Sequence, residues 1–497
     1  MNNNNYEKSK NYHIGIIGAG LAGAMVGCLL DKLGFQVSIY EKRDDPRKSS
    51  SEDISSEEFG RSISSTKRSI NLAISHRGFS ALKEIGLYDT VFQEVIRMPC
   101  RVIHNIDKSI TKQAYGKEDE AIWSVGRQYL NFLLLDHLSK KAHNSIHFEH
   151  TLIAISKSGL CSFECAKGEI NEKFDLIIGA DGAYSAVREC ILKQGRINFS
   201  RTYIKHGYKE LSIPPKLVKQ EKILFSIEND KKEKALDSIE NYKKEYALDS
   251  PNGLHIWPRG EFMLIALPNP DKSFTATLFA PYHGKDGFDS VTTKEDDIKN
   301  YFNKYFPDVV PLMPDLTSDY IANPVGSLVT IRVDPWHSGR TLLIGDAAHA
   351  VVPFYGQGMN AAMEDSLILY ELIKCKFFDE THGVTLQDII SEFSNLRIPA
   401  ANGLADLCVE HYNDMASNTS SSFYLIQKKI EAFIFNLFPS YFIPLYTMVA
   451  FTRTPYHLAI KKSEEQNRMI SKIASGLVAG LLGGITFLTL KHFKHFR

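Results

Sequence analysis

Apolar and polar positions along the chain change period from one region to the next. A β-branched run at His13–Ile17 leads through glycines into a helical apolar period over 21–33, and then into a second strand-like run, Gln36–Tyr40. Strand, helix and strand in this order predict a βαβ unit. Residues 44–67 are rich in Ser, Glu and Asp and read as a flexible insertion. RSINLAIS at 68–75 predicts a return to order, and 78–85 reads as a helix that Gly86 stops. Short β-rich runs at Leu254–Trp257, Phe262–Leu267 and Thr275–Phe279 predict an antiparallel sheet. From the helix carrying Leu367 and Leu369 onward, the period stays helical to about residue 470.

At 497 residues the chain has room for two or three domains. Its 58 basic and 58 acidic side chains cancel, and no Lys/Arg stripe carries interleaved aromatics, so nucleic acid is not an expected partner. Seven scattered cysteines and a polar start without a signal-peptide pattern predict a reducing compartment. Cys161 and Cys165 alternate with apolar residues as core positions of a strand do, and no second ligand pair supports a metal site. SIENDKKEKALD at 226–237 is repeated as SIENYKKEYALD at 238–249, with Asp230/Tyr242 and Lys234/Tyr246 as the differences. Two copies cannot build a solenoid core, so the repeat reads as an expanded surface loop without catalytic meaning. Ile473–Leu490 holds 18 residues without a charge ahead of a basic end. That length predicts a transmembrane helix rather than a buried one, whose glycines would weaken it in a soluble core.

The chemistry lies in three glycine-bearing turns. Gly18, Gly20 and Gly23 form GxGxxG between the first strand and helix. The first glycine permits the turn, the second lets backbone approach a pyrophosphate, and the third lets the helix pack on the strand. Glu41 ends the next strand, where a carboxylate can bind a ribose hydroxyl. The second turn, Ala180-Asp181-Gly182, ends a buried strand. Asp181 there either caps a helix or meets a dinucleotide. The third is GDAAHAVVPFYGQGMNAAMED, 345–365. Asp346 suits a sugar or ribityl hydroxyl, and the helix opened by Gly356-Gln357-Gly358 points amides at a carbonyl-bearing ring. The three turns in this order resemble the FAD-dependent aromatic hydroxylases of the para-hydroxybenzoate hydroxylase type.

Within that group, RSINLAIS-HRG (68–78), RVIH (101–104), ADGAYSAVR (180–188), HGYKEL (206–211), LHIWPR (254–259), ALPNPDKSFTATLF (266–279), LRIPAAN (396–402) and FIPLYTMVAF (442–451) resemble the kynurenine 3-monooxygenases. The resemblance covers about residues 12–460. It implies an α/β fold: a Rossmann-like FAD-binding domain (12–97, 121–195 and 331–385), an antiparallel-sheet substrate domain (98–120 and 196–330, with the 226–249 insertion), a C-terminal helical region (386–470) and a transmembrane anchor (473–490). For the substrate it implies Arg101, Tyr115, Asn413 and Tyr446, the first two holding an amino-acid carboxylate, to which an arginine fork is suited. Matched FAD positions add Ala22, Tyr40, Lys42, Arg43, Ala73, Arg127 and Leu152 to the motif residues. Gly358, Met359 and Asn360 then lie at the flavin's pyrimidine edge and Pro353 near its reactive face. The departures are the insertions at 44–67 and 226–249 and the HYND stretch around Asn413.

The resemblance further implies that NADPH reduces FAD, O2 adds at flavin C4a, and the hydroperoxide hydroxylates L-kynurenine at C3. The cofactor carries the oxygen chemistry. No protein base is assigned; His349 reads as structural. No second GxGxxG is present, so NADPH is expected to dock transiently. The C-terminal segment resembles tail anchors of the mitochondrial outer membrane. Other readings are a hydroxylase or epoxidase of another aromatic or apolar substrate, a flavin-dependent halogenase, and a non-catalytic prenyl-protein escort on the same scaffold. The isolated Trp123, Trp257 and Trp336 argue against the halogenase, and the intact GD and GQG segments argue against the escort.

Overall fold

The computed structural model describes residues 8–48, 71–219, 242–379, 383–413 and 441–470, together with 435, 437, 438 and 472. The strand His13–Ile17 stands inside a six-stranded sheet, between Gln36–Tyr40 and Leu176–Gly179, both parallel to it. Ser145–His147 and Thr341–Leu343 extend the sheet in parallel on either side, and His337–Ser338 closes one edge antiparallel. Ile14–Ile17 and Leu176–Gly179 are buried throughout, as strands covered on both faces must be. The helix Leu21–Lys32 makes the first crossover and buries Met25, Val26, Leu29 and Leu30. The register aligns Tyr40, Ile17, Gly179 and Leu343 in one row. Glu41, Gly18, Ala180 and Ile344 therefore leave the sheet together at its carboxyl edge, where open α/β sheets bind ligands.

A second sheet has seven strands. From one edge they are Gly326–Asp334, Asn198–Ile213, Phe274–Pro281, Met263–Pro268, Gly253–Pro258, Cys100–His104 and Ile110–Ala114. All neighbours are antiparallel except Gly253–Pro258 with Cys100–His104. The three predicted strands at 254–279 are the middle of this sheet. Their alternation separates two faces. Trp257, Leu264 and Leu278 pack on Ile298, Phe302 and Leu316 of two covering helices. Ile256, Met263 and Phe279 pack instead on Val352, Phe354, Tyr355 and Leu404, on the side of the GDAAH–GQG segment. The helices described after the third turn are Gly358–Leu372, Leu386–Asn413, Leu445–Phe451 and 456–470.

One expectation changes. No helix among the described residues is long and apolar enough to cross a membrane, and 473–490 lie outside them. Among the described residues the architecture is therefore α/β with no helix able to cross a membrane. The 28-residue Leu386–Asn413 has the length, but Asp388, Glu392, Arg397 and Glu410 interrupt its apolar surface. The membrane partner and mitochondrial location expected from 473–490 have no support among the described residues. The described part of the repeat includes a surface strand. Its first copy lies outside the described residues, but Tyr242–Glu245 of the second pairs with Lys216–Lys219. Tyr246 then donates its hydroxyl to the Asn269 carbonyl at 3.2 Å and sets its ring 5.4 Å from Phe274. The Lys234/Tyr246 difference thus anchors the second copy to the sheet. The 49–67 part of the other insertion lies outside the described residues.

Candidate active site

The three turns meet at the carboxyl edge of the parallel sheet. Gly18 has φ +105°, and a Cβ there would stand 2.5 Å from the Ala180 carbonyl oxygen, so only glycine fits between the first and second turns. Arg188, fully buried, donates to the Ala347 carbonyl at 2.9 Å and ties the second turn to the third. Around Gly20 the space is open: a Cβ would meet nothing within 4 Å. Gly20 is also the N-cap of Leu21–Lys32, which no side chain caps. The first-turn amides and the dipole therefore face that space. Glu41 accepts from the Ala19 amide at 2.9 Å and the Arg43 amide at 3.0 Å, which fixes its carboxylate beside the turn. Lys42 and Arg43 are exposed, and Ala22 is half-buried beneath Gly345.

Asp181 spends one carboxylate oxygen on the Ala186 and Val187 amides, at 2.6 and 3.1 Å, in the helix-capping role. Its other oxygen is buried with no hydrogen-bond partner among the described residues. Desolvation pushes this carboxyl up, and the bonds from Ser185 and the helix amides draw it back. Asp346 is exposed to solvent between buried neighbours. Desolvation raises its carboxyl against the opposing charges of His349 and Arg127. Gly356, at φ +65°, sits against Ala73, and Gly358 starts its helix without a side-chain cap. Met359 is half-buried, while Pro353 and Arg127 are exposed. The open space at Gly20, the orphaned Asp181 oxygen and two uncapped helix starts fit a dinucleotide cofactor carrying a polar ring.

Three FAD positions have other work. The Tyr40 ring is stacked between Phe163 at 4.1 Å and His147 at 4.7 Å, and Leu152 is buried in the same core. Tyr40 contributes its carbonyl, which accepts from Gly18 at 2.8 Å. Asn360 accepts from the Ser75 amide at 2.8 Å and donates to the Ala73 and Gly356 carbonyls at 2.8 and 3.0 Å. Its side chain holds the third turn against the strand Asn71–Ile74.

The second cluster is a cage around Arg101. The Tyr115 and Tyr446 rings stack at 5.0 Å, 14° apart, and the Arg101 guanidinium lies 5.2 and 5.3 Å from their centres. Such contacts gain strength when desolvated, and Arg101 and Tyr115 are both buried. Desolvation raises both tyrosine hydroxyls, more strongly at Tyr446, with Arg101 pulling them back. Tyr355 continues the stack at 5.5 Å from Tyr446. His411 lies 4.7 Å from the Tyr355 ring, with Nε2 3.0 Å from an Arg101 nitrogen. Tyr355 belongs to the Pro353–Tyr355 turn, so one short turn joins the cage to the GQG helix start.

A family model described as "FAD binding domain" matches residues 11–379. The chain is 37% identical to kynurenine 3-monooxygenase of Flavobacterium johnsoniae over 464 residues, 93% of each protein. It is 38% identical to that of Sus scrofa, covering 92% of this chain and 88% of the relative. The chain belongs to the kynurenine 3-monooxygenase family. Its fold is similar to the tetrameric form of 2-methyl-3-hydroxypyridine-5-carboxylic acid oxygenase, with TM-score 0.61 at 18% identity over 84% of this chain and 96% of that one.

For this kynurenine 3-monooxygenase family member, the sequence singled out Asn413, and the structure also brings His411 to Arg101. The Asn413 side chain lies outside the described residues. His411 stands in the same HYND stretch. His349 bonds Asp365 at 2.5 Å and stacks on Trp336 at 4.9 Å. Arg397 holds the other Asp365 oxygen at 2.7 Å. Burial pushes the Asp365 carboxyl up, but His349 and Arg397 outweigh it and hold it below the usual range. His349 is thus built into a buried ion network. A separate cavity of about 570 Å³, lined by Lys32, Lys83, Glu84 and His137, lies at the other end of Leu21–Lys32 from Gly20.

Proposed function

We propose that the protein is an FAD- and NADPH-dependent monooxygenase that converts L-kynurenine to 3-hydroxykynurenine. The observation that carries this reading is the Arg101 cage, joined through Tyr355 to the turn that opens the GQG helix. Arg101 offers a planar fork to the substrate carboxylate, with Tyr115, Tyr446 and His411 around it. Leu254, Ile265 and Phe451 beside Tyr446 supply an apolar wall for the aromatic ring and exclude water. FAD, when bound, supplies the oxygen chemistry, with NADPH as reductant and O2 as the source of the inserted atom. Gly20, the Leu21 and Gly358 helix starts, Glu41, Asp181 and Asp346 are the groups that hold it. The attacked carbon is ortho to the ring amine, whose electron donation activates it, so no side chain need remove a proton beforehand.

The test is mass spectrometry of products from the full chain with FAD, NADPH, O2 and L-kynurenine. The expected product is kynurenine one oxygen heavier, formed only with NADPH. NADPH consumption that yields peroxide alone would leave the flavoprotein reading intact and reject kynurenine as substrate.

A further inference from the structure

Arg77 is the second residue of the helix His76–Glu84, close behind the strand Asn71–Ile74, and it is fully buried. One of its terminal nitrogens donates to both Glu364 oxygens, at 2.6 and 2.7 Å. Its Nε donates to the Val449 carbonyl at 3.0 Å, and its other terminal nitrogen to the Thr454 carbonyl at 2.5 Å. The guanidinium also lies 4.1 Å from the Tyr456 ring centre. The helix Leu445–Phe451 has seven residues, too few to be stable alone. Its last carbonyls lack partners within the helix. Arg77 takes Val449, and the Thr452 hydroxyl takes Met448 at 2.6 Å. The arginine thus caps this helix with a cation at the negative end of its dipole. Tyr446 stands about one turn before Val449.

Glu364 lies within Gly358–Leu372, the helix that starts at the GQG turn, and it also meets Arg397 at 3.3 Å. One buried pair therefore joins the helix His76–Glu84, the helix that begins at Gly358 and the segment carrying Tyr446. Replacing a buried ion pair with apolar residues is often neutral or stabilising. Net stability is thus a weak reason for this one, whereas geometric specification is a direct consequence of its bonds. We propose that Arg77 and Glu364 are positioning residues that set Tyr446, and with it the wall of the Arg101 cage, relative to the GQG helix start. The proposal rests on the kynurenine reading for its substrate; the mechanical link does not.

The test uses the full-length holoenzyme carrying Arg77→Lys or Glu364→Gln. Lysine keeps the charge but cannot serve Glu364 and both carbonyls at once, and glutamine keeps the shape without the charge. Lys376→Ala, which breaks an exposed pair with Glu392, is the control. Amide hydrogen exchange in 445–456 should quicken about tenfold in both variants while exchange in 13–40 is unchanged. With flavin retained, KM for L-kynurenine should rise about tenfold or more, and a smaller share of consumed NADPH should end as hydroxylated product. Unchanged exchange in 445–456 overturns the clamp. Faster exchange with unchanged KM and coupling overturns the positioning role, as does a failure of both variants to fold, which makes the pair a stability element. Wild-type protein that does not hydroxylate kynurenine defeats the substrate reading, and the exchange result is independent of it.

Discussion

Alanine at Gly20 and alanine at Gly23 differ by one methyl from wild type and should fail in different ways. Gly20 has φ −74° and ψ −178°, which any L-residue adopts, and a Cβ there meets nothing within 4 Å. Gly20→Ala should therefore leave the apoprotein folded, and about 0.4–1 kcal/mol more stable because its unfolded chain loses freedom. At Gly23 a Cβ would stand 1.9 Å from the Gly18 carbonyl oxygen. The helix must then move off its turn, at a cost of about 1–3 kcal/mol or more. With FAD the order reverses. A methyl at Gly20 occupies the space for the pyrophosphate; losing about two charge-assisted hydrogen bonds costs about 3 kcal/mol. That corresponds to a roughly 100-fold weaker dissociation constant. Thermal melts of apoprotein and titration of flavin fluorescence separate the two effects. Wild-type FAD affinity in Gly20→Ala would refute the seating of the pyrophosphate at this turn. An unstable Gly20→Ala apoprotein would refute the claim that the space is open.

Arg101→Ala should raise KM for L-kynurenine about 100-fold through loss of a charge-assisted fork worth about 3 kcal/mol; an equal loss of FAD affinity would contradict its place in the substrate cage. His411→Ala removes the group 3.0 Å from Arg101 and should raise KM about tenfold with little change in FAD binding; an unchanged KM would make His411 a packing residue. Burial, with His104 acting the same way, pushes the His255 imidazole down to about 3. The unfolded chain takes up that proton near pH 6.5, so stability from this group is complete above about 6.5 and falls by about 1.4 kcal/mol per unit as pH drops toward the folded value. Urea unfolding of His255→Gln should show a flatter slope over that interval, and an unchanged slope would show that His255 is not the group responsible.

The cofactor side of the site was more legible than the substrate side. GxGxxG, ADG and GD…GQG are local turns in which glycine or a short acidic residue is demanded by backbone geometry, so spacing alone points to them. Roles that depend on which way a side chain turns were not legible. Tyr40 is a matched FAD position, and its ring is stacked between Phe163 and His147. Asn360 belongs to the GQGMN signature, and its amide bonds the backbone of Ala73 and Ser75 in another segment. His411, which meets Arg101, stands in the HYND stretch, and nothing local distinguishes it from its neighbours there. Arg77 was quoted within RSINLAIS-HRG, but its partners are 287 residues or more away along the chain.

By itself, the sequence determined the βαβ start, the strands between 253 and 281, the helices described from Gly358 to residue 470 and the three glycine-bearing turns. Each is a matter of hydrophobic period or of permitted φ and ψ, which are set by neighbours in the chain. Only the tertiary structure decided that Tyr355 and His411 join Tyr115 and Tyr446 around Arg101, that Arg188 ties two turns together, and that Arg77 and Glu364 join three segments. It also decided that no described helix spans a membrane, because a long helix such as Leu386–Asn413 spends its charged residues within and upon the protein. These outcomes arise from contacts between residues far apart in the chain. Their energies depend on desolvation and close approach, which come into being only when the elements pack.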